Sequence, residues 1–125
     1  MLLVKTIIGP STIEGIGVFA DEFIAKGTKT WEFNPGFDRI FSKEEYTAFS
    51  SEIQKFLQTY AYQSKITGGY VLDSDNGRFT NHSDTPNLGK VQVEGKEAYT
   101  VALRDIQKDE EMTLDYRVFP EGIDF

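Results

Sequence analysis

The sequence contains no cysteine. Disulfides and thiolate metal sites are therefore excluded, and the composition suits a reducing compartment. Histidine occurs once, which leaves too few soft donors for a zinc site. Positive charge is also scarce: 13 Lys and Arg stand against 20 Asp and Glu, for a formal net charge of −7. A duplex DNA binder needs a basic face for the phosphate backbone, so direct nucleic-acid binding is not expected. An acidic surface suits a basic partner such as a Lys- or Arg-rich peptide, and it equally serves solubility. No apolar run is long enough to span a bilayer, and no membrane partner is expected. Residues 1–8 are mostly apolar, but the stretch is short for a signal sequence and Lys5 interrupts it, so it reads as a first strand.

What is present is ordinary globular material. The 125 residues fit one domain, and 39% are hydrophobic, with ten Phe and six Tyr. Short runs with strand chemistry recur at residues 4–8, 17–20, 30–33, 70–72, 91–93, 99–103 and 112–114. Turn residues separate them: Gly9-Pro10, Gly27, Asn34-Pro35-Gly36, Asn76-Gly77 and Pro86-Asn87. Gly95-Lys96 lies between two such runs and predicts a hairpin. One stretch is helical in pattern: Tyr46, Phe49, Ile53, Phe56, Leu57 and Tyr60 recur at helical spacing and predict a core-facing stripe. Ser42 with Glu45 forms a potential capping box, and Ser50-Ser51 marks a place where the stretch could split into two helices. The expected fold class is β-rich α+β, with strands, a helical insert and strands again.

Several polar segments could carry chemistry. Asn81-His82-Ser83, followed by Pro86-Asn87, has little apolar content to explain it as core. Such residues bond the local backbone and favour irregular structure, with or without a function. Asp73-Ser74-Asp75-Asn76-Gly77 looks superficially like a calcium loop. An EF-hand starting at Asp73 would need Gly at 78 and Glu at 84, where this chain has Arg78 and Asp84, so no metal is expected. Gly15-Ile16-Gly17-Val18-Phe19-Ala20 lets backbone approach a ligand, but it lacks the third Gly and the helix of a dinucleotide fingerprint. Glu110-Glu111-Met112-Thr113-Leu114-Asp115-Tyr116 reads by itself as a strand ending in a polar pair.

Taken in order, these segments resemble the SET domain, the family of protein lysine methyltransferases that use S-adenosylmethionine. The matches are Gly15-Ile16-Gly17-Val18-Phe19-Ala20 to G-x-G-x-F-A, Arg78-Phe79-Thr80-Asn81-His82-Ser83 with Pro86-Asn87 to R-F-x-N-H-S-x-x-P-N, and Glu110 to Tyr116 to the C-terminal E-E-L-T-x-D-Y pattern. The resemblance covers almost the whole chain and implies one SET domain over residues 1–125. Its fold would be small β-sheets with a variable helical insert at about 42–65, a C-terminal pseudoknot, and a tail at 117–125.

The resemblance also implies a site. Glu14, Gly15 and Gly17 would hold the methionine end of the cofactor, Asn81 and His82 its adenosine part, and Arg78 would brace the same region. Tyr116 would be the catalytic tyrosine, also in contact with the cofactor, and Asp115 would position its strand. Phe37, Tyr70 and Phe119 are the expected walls of the substrate channel. Asp84 stands where many members have Cys, and Asp109 where many have Gly. The cysteine-rich modules that cover the channel in many histone-modifying members are absent, so residues 118–125, with Phe119 or Phe125 as lid, would supply that cover. A second subunit is the alternative, which raises a homodimer as a possible assembly. The resemblance implies methylation of a basic protein or peptide, including a histone or histone-like one. The competing reading is a non-catalytic SET-fold binding module. Such bare domains look like compact bacterial or viral members, so a cytoplasmic location is expected, with a nuclear or host-secreted one as the alternative.

Overall fold

The structure is a computed structural model and describes residues 1–116. Ten short strands and two helices follow in order: β1 (Thr6–Pro10), β2 (Ile16–Ala20), β3 (Lys29–Trp31), β4 (Arg39–Phe41), α1 (Lys43–Ala48), α2 (Ser51–Tyr60), β5 (Tyr62–Gln63), β6 (Tyr70–Leu72), β7 (Asn81–His82), β8 (Leu88–Val91), β9 (Tyr99–Ala102) and β10 (Thr113–Leu114). A 3₁₀ turn over Asn76–Phe79 leads into β7. The strands form four small sheets: β1-β2, β3-β9-β8, β4-β6-β5 and the parallel pair β7-β10.

The first hairpin turns later than Gly9-Pro10. These two residues end β1, where they pair with Gly17 and Ile16, and the chain reverses over residues 11–15. The hairpin at Gly95 does form: β8 pairs antiparallel with β9, and Gly95 adopts φ +74°. Asp109 also takes a left-handed conformation, with φ +75°. Asp tolerates that region better than most side chains, which is how it fills a position where many SET sequences have glycine.

The helical stretch divides as its serines suggest. Ser42 caps α1 in a reciprocal capping box with Glu45, and Ser50 caps α2. The stripe is less buried than its spacing predicts. Only Leu57 is fully buried, while Ile53 and Phe56 are 44% and 43% exposed. The main core lies elsewhere, built from Val18, Ala20, Ile24, Leu88, Ala102, Ile106 and Met112. Helical periodicity correctly identified the helices, but the molecule is too small to cover both sides of the insert.

Asn87 secures the C-terminal crossing. Its side chain is 2% exposed, donates to the Glu111 carbonyl at 2.8 Å and accepts the Thr113 amide at 2.8 Å. Its own carbonyl accepts from the Leu103 amide at 2.8 Å. β10 is thereby held parallel to β7, with the Ser83 amide on the Leu114 carbonyl at 2.9 Å. A two-residue parallel pair is weak by itself, so this buried amide substitutes for the missing length of ladder. Among the described residues, no helix is long and apolar enough to cross a membrane.

Candidate functional site

β7 places Asn81 and His82 side by side, and strand geometry sends their side chains to different partners. The Asn81 side-chain nitrogen lies 3.1 Å from the Glu14 carbonyl, 3.1 Å from the Ile16 carbonyl and 3.0 Å from Glu111 Oε2. Its two hydrogens are shared among three acceptors and fix the backbone of the β1-β2 turn. Ser11 donates its hydroxyl to the other side of the Glu111 carboxylate, 2.7 Å from Oε1. Gly17 packs beneath that carboxylate, and a Cβ there would come within 2.4 Å of Glu111 Oε2. Glycine is needed at 17 because the carboxylate occupies the space of a side chain.

His82 turns the other way. Its Nδ1 accepts the Tyr116 backbone amide at 3.0 Å, so the ring proton sits on Nε2 and is donated to Asp84 Oδ1 at 2.9 Å. The Asp115 carboxylate approaches Nδ1 to 3.7 Å. The Tyr116 hydroxyl donates to the Thr80 carbonyl. Burial raises the Tyr116 pKa, and the Glu14 carboxylate raises it further, so the phenol stays protonated at neutral pH.

A cavity of about 370 Å³ opens next to Tyr116. Its walls include Thr80, Leu114, Tyr60, Tyr62, Trp31 and Asp73. Arg78 also reaches the wall. One guanidinium nitrogen donates to the Asp75 carbonyl at 3.1 Å, and the group lies over the Phe79 ring, 4.7 Å from its centroid. Its Nε is buried and has no hydrogen-bond partner among the described residues.

Deeper in the cavity, Trp31 donates its indole N–H to Asp73 Oδ2 at 2.7 Å. Burial, together with a hydrogen bond to the Asp75 carboxylate, pushes the Asp73 carboxyl up to about 8. Burial also works against Asp75, but the Asp73 hydrogen bond and the Gly77 and Leu2 amides outweigh it and hold Asp75 below its ordinary value. One proton is thus shared by the pair and resides on Asp73. Lys90 lies over the Tyr62 ring, 3.9 Å from its centroid, and burial lowers its pKa well below the usual range. Tyr62 donates to Glu97 at 3.1 Å, and its own pKa is raised by burial and by that carboxylate.

The structure thus gathers Glu14, Gly17, Asn81, His82 and Tyr116 around the first hairpin and the cavity mouth. Gly15 sits in the same turn at φ +45°, and Arg78 stands on the cavity wall. Two expected channel residues are elsewhere. Phe37 is 45% exposed and does not line the cavity. Tyr70 also lies off its wall, stacked on Tyr46 with centroids 4.4 Å apart. Phe119, Phe125 and the rest of the expected lid lie outside the described residues. Tyr60, Tyr62 and Leu114 occupy the wall instead. Sequence reasoning gave no role to Glu111, Asn87 or Thr80, although all three stand inside the quoted motifs. It could not pair Trp31 with Asp73, 42 residues apart.

The chain is similar to known proteins in sequence and in fold. The SET domain model matches residues 15–117. A histone-lysine N-methyltransferase, H3 lysine-4 specific, from Schizosaccharomyces pombe is 33% identical over 125 residues, covering 93% of this chain and 13% of its own length. The corresponding enzyme of Aspergillus oryzae is 29% identical over 86% of this chain and 9% of its own. The chain therefore spans only about a tenth of these curated relatives. A crystal structure of a Plasmodium falciparum protein provisionally described as a histone methyltransferase superposes with a TM-score of 0.64 at 26% identity, covering 92% of this chain and 95% of that one. A chain of the Chaetomium thermophilum Polycomb Repressive Complex 2 reaches the same TM-score at 20% identity and supports the fold alone. With its motifs converging on one site and its family model spanning most of its length, the chain belongs to the SET-domain family.

Proposed function

We propose that this domain transfers a methyl group from S-adenosylmethionine to the side-chain amine of a lysine in a basic protein or peptide. The observation that carries this reading is the Tyr116 phenol, held on the Thr80 carbonyl where it lines the cavity, together with the hairpin turn that Asn81 clamps. The two relatives named above act on lysine 4 of histone H3, and the net charge of −7 suits a substrate of that basic kind.

The residues present fit the cofactor. Gly15 leaves the turn backbone open to close approach, with nothing within 4 Å of where a Cβ would stand, and the buried Arg78 Nε is a donor still seeking an acceptor. Glu14, Gly15 and Gly17 would hold the cofactor's methionine end, and Asn81 and His82 its adenosine end, with Arg78 bracing them. When bound, the cofactor supplies an electrophilic methyl group on a cationic sulfur. The protein's task is to bring a neutral amine into line at near-attack distance. Tyr116 orients the amine lone pair through its hydroxyl oxygen, and His82 sets the height of Tyr116 through its backbone amide. The apolar walls from Tyr60, Tyr62 and Leu114 exclude water and favour the uncharged amine.

The test is radiolabelled methyl transfer from S-adenosylmethionine to a library of lysine peptides and to mixed basic proteins. Label on lysine supports the proposal. Cofactor binding without transfer favours a non-catalytic module, and label on a small molecule assigns the fold to a different substrate.

A further inference from the structure

The reaction needs a neutral amine, but a lysine side chain arrives as an ammonium with a reference pKa of about 10.4. Its proton must go somewhere before the nitrogen can attack. Tyr116 cannot take it, because its hydroxyl keeps its own proton and donates it to Thr80. His82 cannot take it at Nδ1, which is occupied by the Tyr116 amide.

We propose that Asp73 accepts the proton of the substrate ammonium, on the wall of the cavity whose mouth carries Tyr116. This rests on the lysine-methylation reading above. Asp73 is the only acidic side chain that lines the cavity among the described residues. It is held in place on several sides: Trp31 donates to Oδ2 at 2.7 Å, the Asp75 amide donates to Oδ1 at 3.1 Å, and Gly77 packs so close that a Cβ would come within 2.0 Å of Oδ2. Asp75 is stabilised as a carboxylate by the Leu2 amide at 2.8 Å and the Gly77 amide at 3.0 Å. The pair therefore keeps one negative charge beside the cavity, where it offsets the Arg78 guanidinium on the wall.

The charged and titratable groups around Asp73 are Asp75 and Arg78 on its own loop, Lys90 on β8, Tyr62 on β5 with its partner Glu97, and Asp38, which accepts the Ser74 amide at 3.0 Å. The Met1 amine lies on Asp38 at 2.9 Å, and Tyr60 and Tyr116 stand on the same cavity wall. Lys90 is a poorer acceptor than Asp73. Burial already disfavours its charged form, and an incoming ammonium would repel a second positive charge. The same ammonium favours ionised Asp73, so Asp73 first loses its resting proton to water as the substrate enters, which prepares the base. In the transfer, an N–H bond of the ammonium breaks and its electron pair remains on nitrogen as the attacking lone pair. An O–H bond forms on Asp73, and that proton then leaves to water. A base whose pKa lies near the working pH is the efficient choice for such a step.

Trp31 is the only tryptophan in the sequence, and its indole bonds directly to Asp73, so its fluorescence reports the state of that carboxyl. The experiment titrates cofactor-free protein from pH 5 to 10. The expected result is a fluorescence transition centred near pH 8 that Asp73→Asn abolishes. A basic peptide with one lysine should move the midpoint to lower pH, while its norleucine counterpart should not. No transition, or a midpoint that lysine leaves unmoved, overturns the proposal, and the wild-type titration decides this even if the variant does not fold. In turnover, Asp73→Asn should lower kcat by about 10²-fold, the low end for a lost general base. It should also remove the levelling-off near pH 8, with cofactor affinity unchanged. Coincident pH–rate profiles for wild type and variant would refute Asp73 while leaving lysine methylation intact. A lysine-dependent fluorescence shift without any methyl transfer would refute the methylation reading instead.

Discussion

His82 holds Tyr116 by the main chain: the imidazole Nδ1 accepts the Tyr116 N–H at 3.0 Å while Nε2 is committed to Asp84. The histidine that looks like a base is thus a hinge pin for the phenol. We expect His82→Ala to weaken S-adenosylmethionine binding, measured by calorimetry, and also to slow single-turnover methyl transfer by about 10-fold to 10²-fold, because small misplacements of a reacting geometry are costly. Unchanged affinity together with an unchanged rate would return His82 to a purely structural role.

Gly17→Ala should be more damaging than its single methyl group suggests. The new Cβ would meet Glu111 Oε2 at 2.4 Å and the Ser11 Cβ at 3.1 Å. Glu111 cannot retreat without releasing Asn81 and Ser11. We expect a stability loss of about 1–3 kcal/mol in urea denaturation, the usual cost of overpacking, and a loss of cofactor affinity. A stable variant with normal affinity would show that the carboxylate relaxes freely.

Asn87→Ala removes the partner of two backbone groups at once, the Glu111 carbonyl and the Thr113 amide. Each unsatisfied buried group costs about 1–3 kcal/mol, so the total should reach roughly 2–6 kcal/mol. Hydrogen exchange should show the loss first as faster exchange at Thr113 and Leu114. Protection equal to wild type at those amides would argue against the clamp.

The pH dependence of stability follows from Asp73. Its folded pKa lies above the unfolded value of 3.8, so the native state holds the extra proton between the two. Stability from this group is therefore lost as pH rises from about 4 and levels off above about 8. Asp75 acts oppositely: its lowered pKa costs stability only as pH falls below the ordinary carboxylate range. In Asp73→Asn the amide mimics the protonated carboxyl toward Trp31 and Asp75. Relative to that variant, wild type should lose ground in urea midpoint between pH 5 and pH 9. Parallel curves would mean that Asp73 is not perturbed.

The sequence made the helices, their serine caps and the hairpin at Gly95 legible because these depend on local chemistry. The strand of Arg39–Phe41 was not legible, since it has no alternating pattern of its own and is defined by its pairing with Tyr70–Leu72. The proximity of Asn81, His82 and Tyr116 was legible because these residues fall inside motifs. The lining of the cavity was not. Phe37 and Tyr70 are aromatic at suitable places in the chain, but Tyr70 is taken up by Tyr46 and Phe37 faces solvent. Which aromatics line a cavity is decided by sheet order, and Tyr60 and Tyr62 reach it because α2 ends there. The Trp31–Asp73 bond depends on the same long-range register.

The most direct measurement compares methyl transfer to lysine peptides by wild type and Tyr116→Phe, alongside S-adenosylmethionine affinity for both. The Tyr116 hydroxyl donates to the Thr80 carbonyl and, in the proposed reaction, also orients the incoming amine, while its ring packs beside His82 with centroids 5.3 Å apart. The phenylalanine should keep the ring contact, fold normally and bind cofactor. It should lose most of the transfer rate that wild type shows. Full transfer by Tyr116→Phe, or no transfer by wild type despite bound cofactor, would contradict the account.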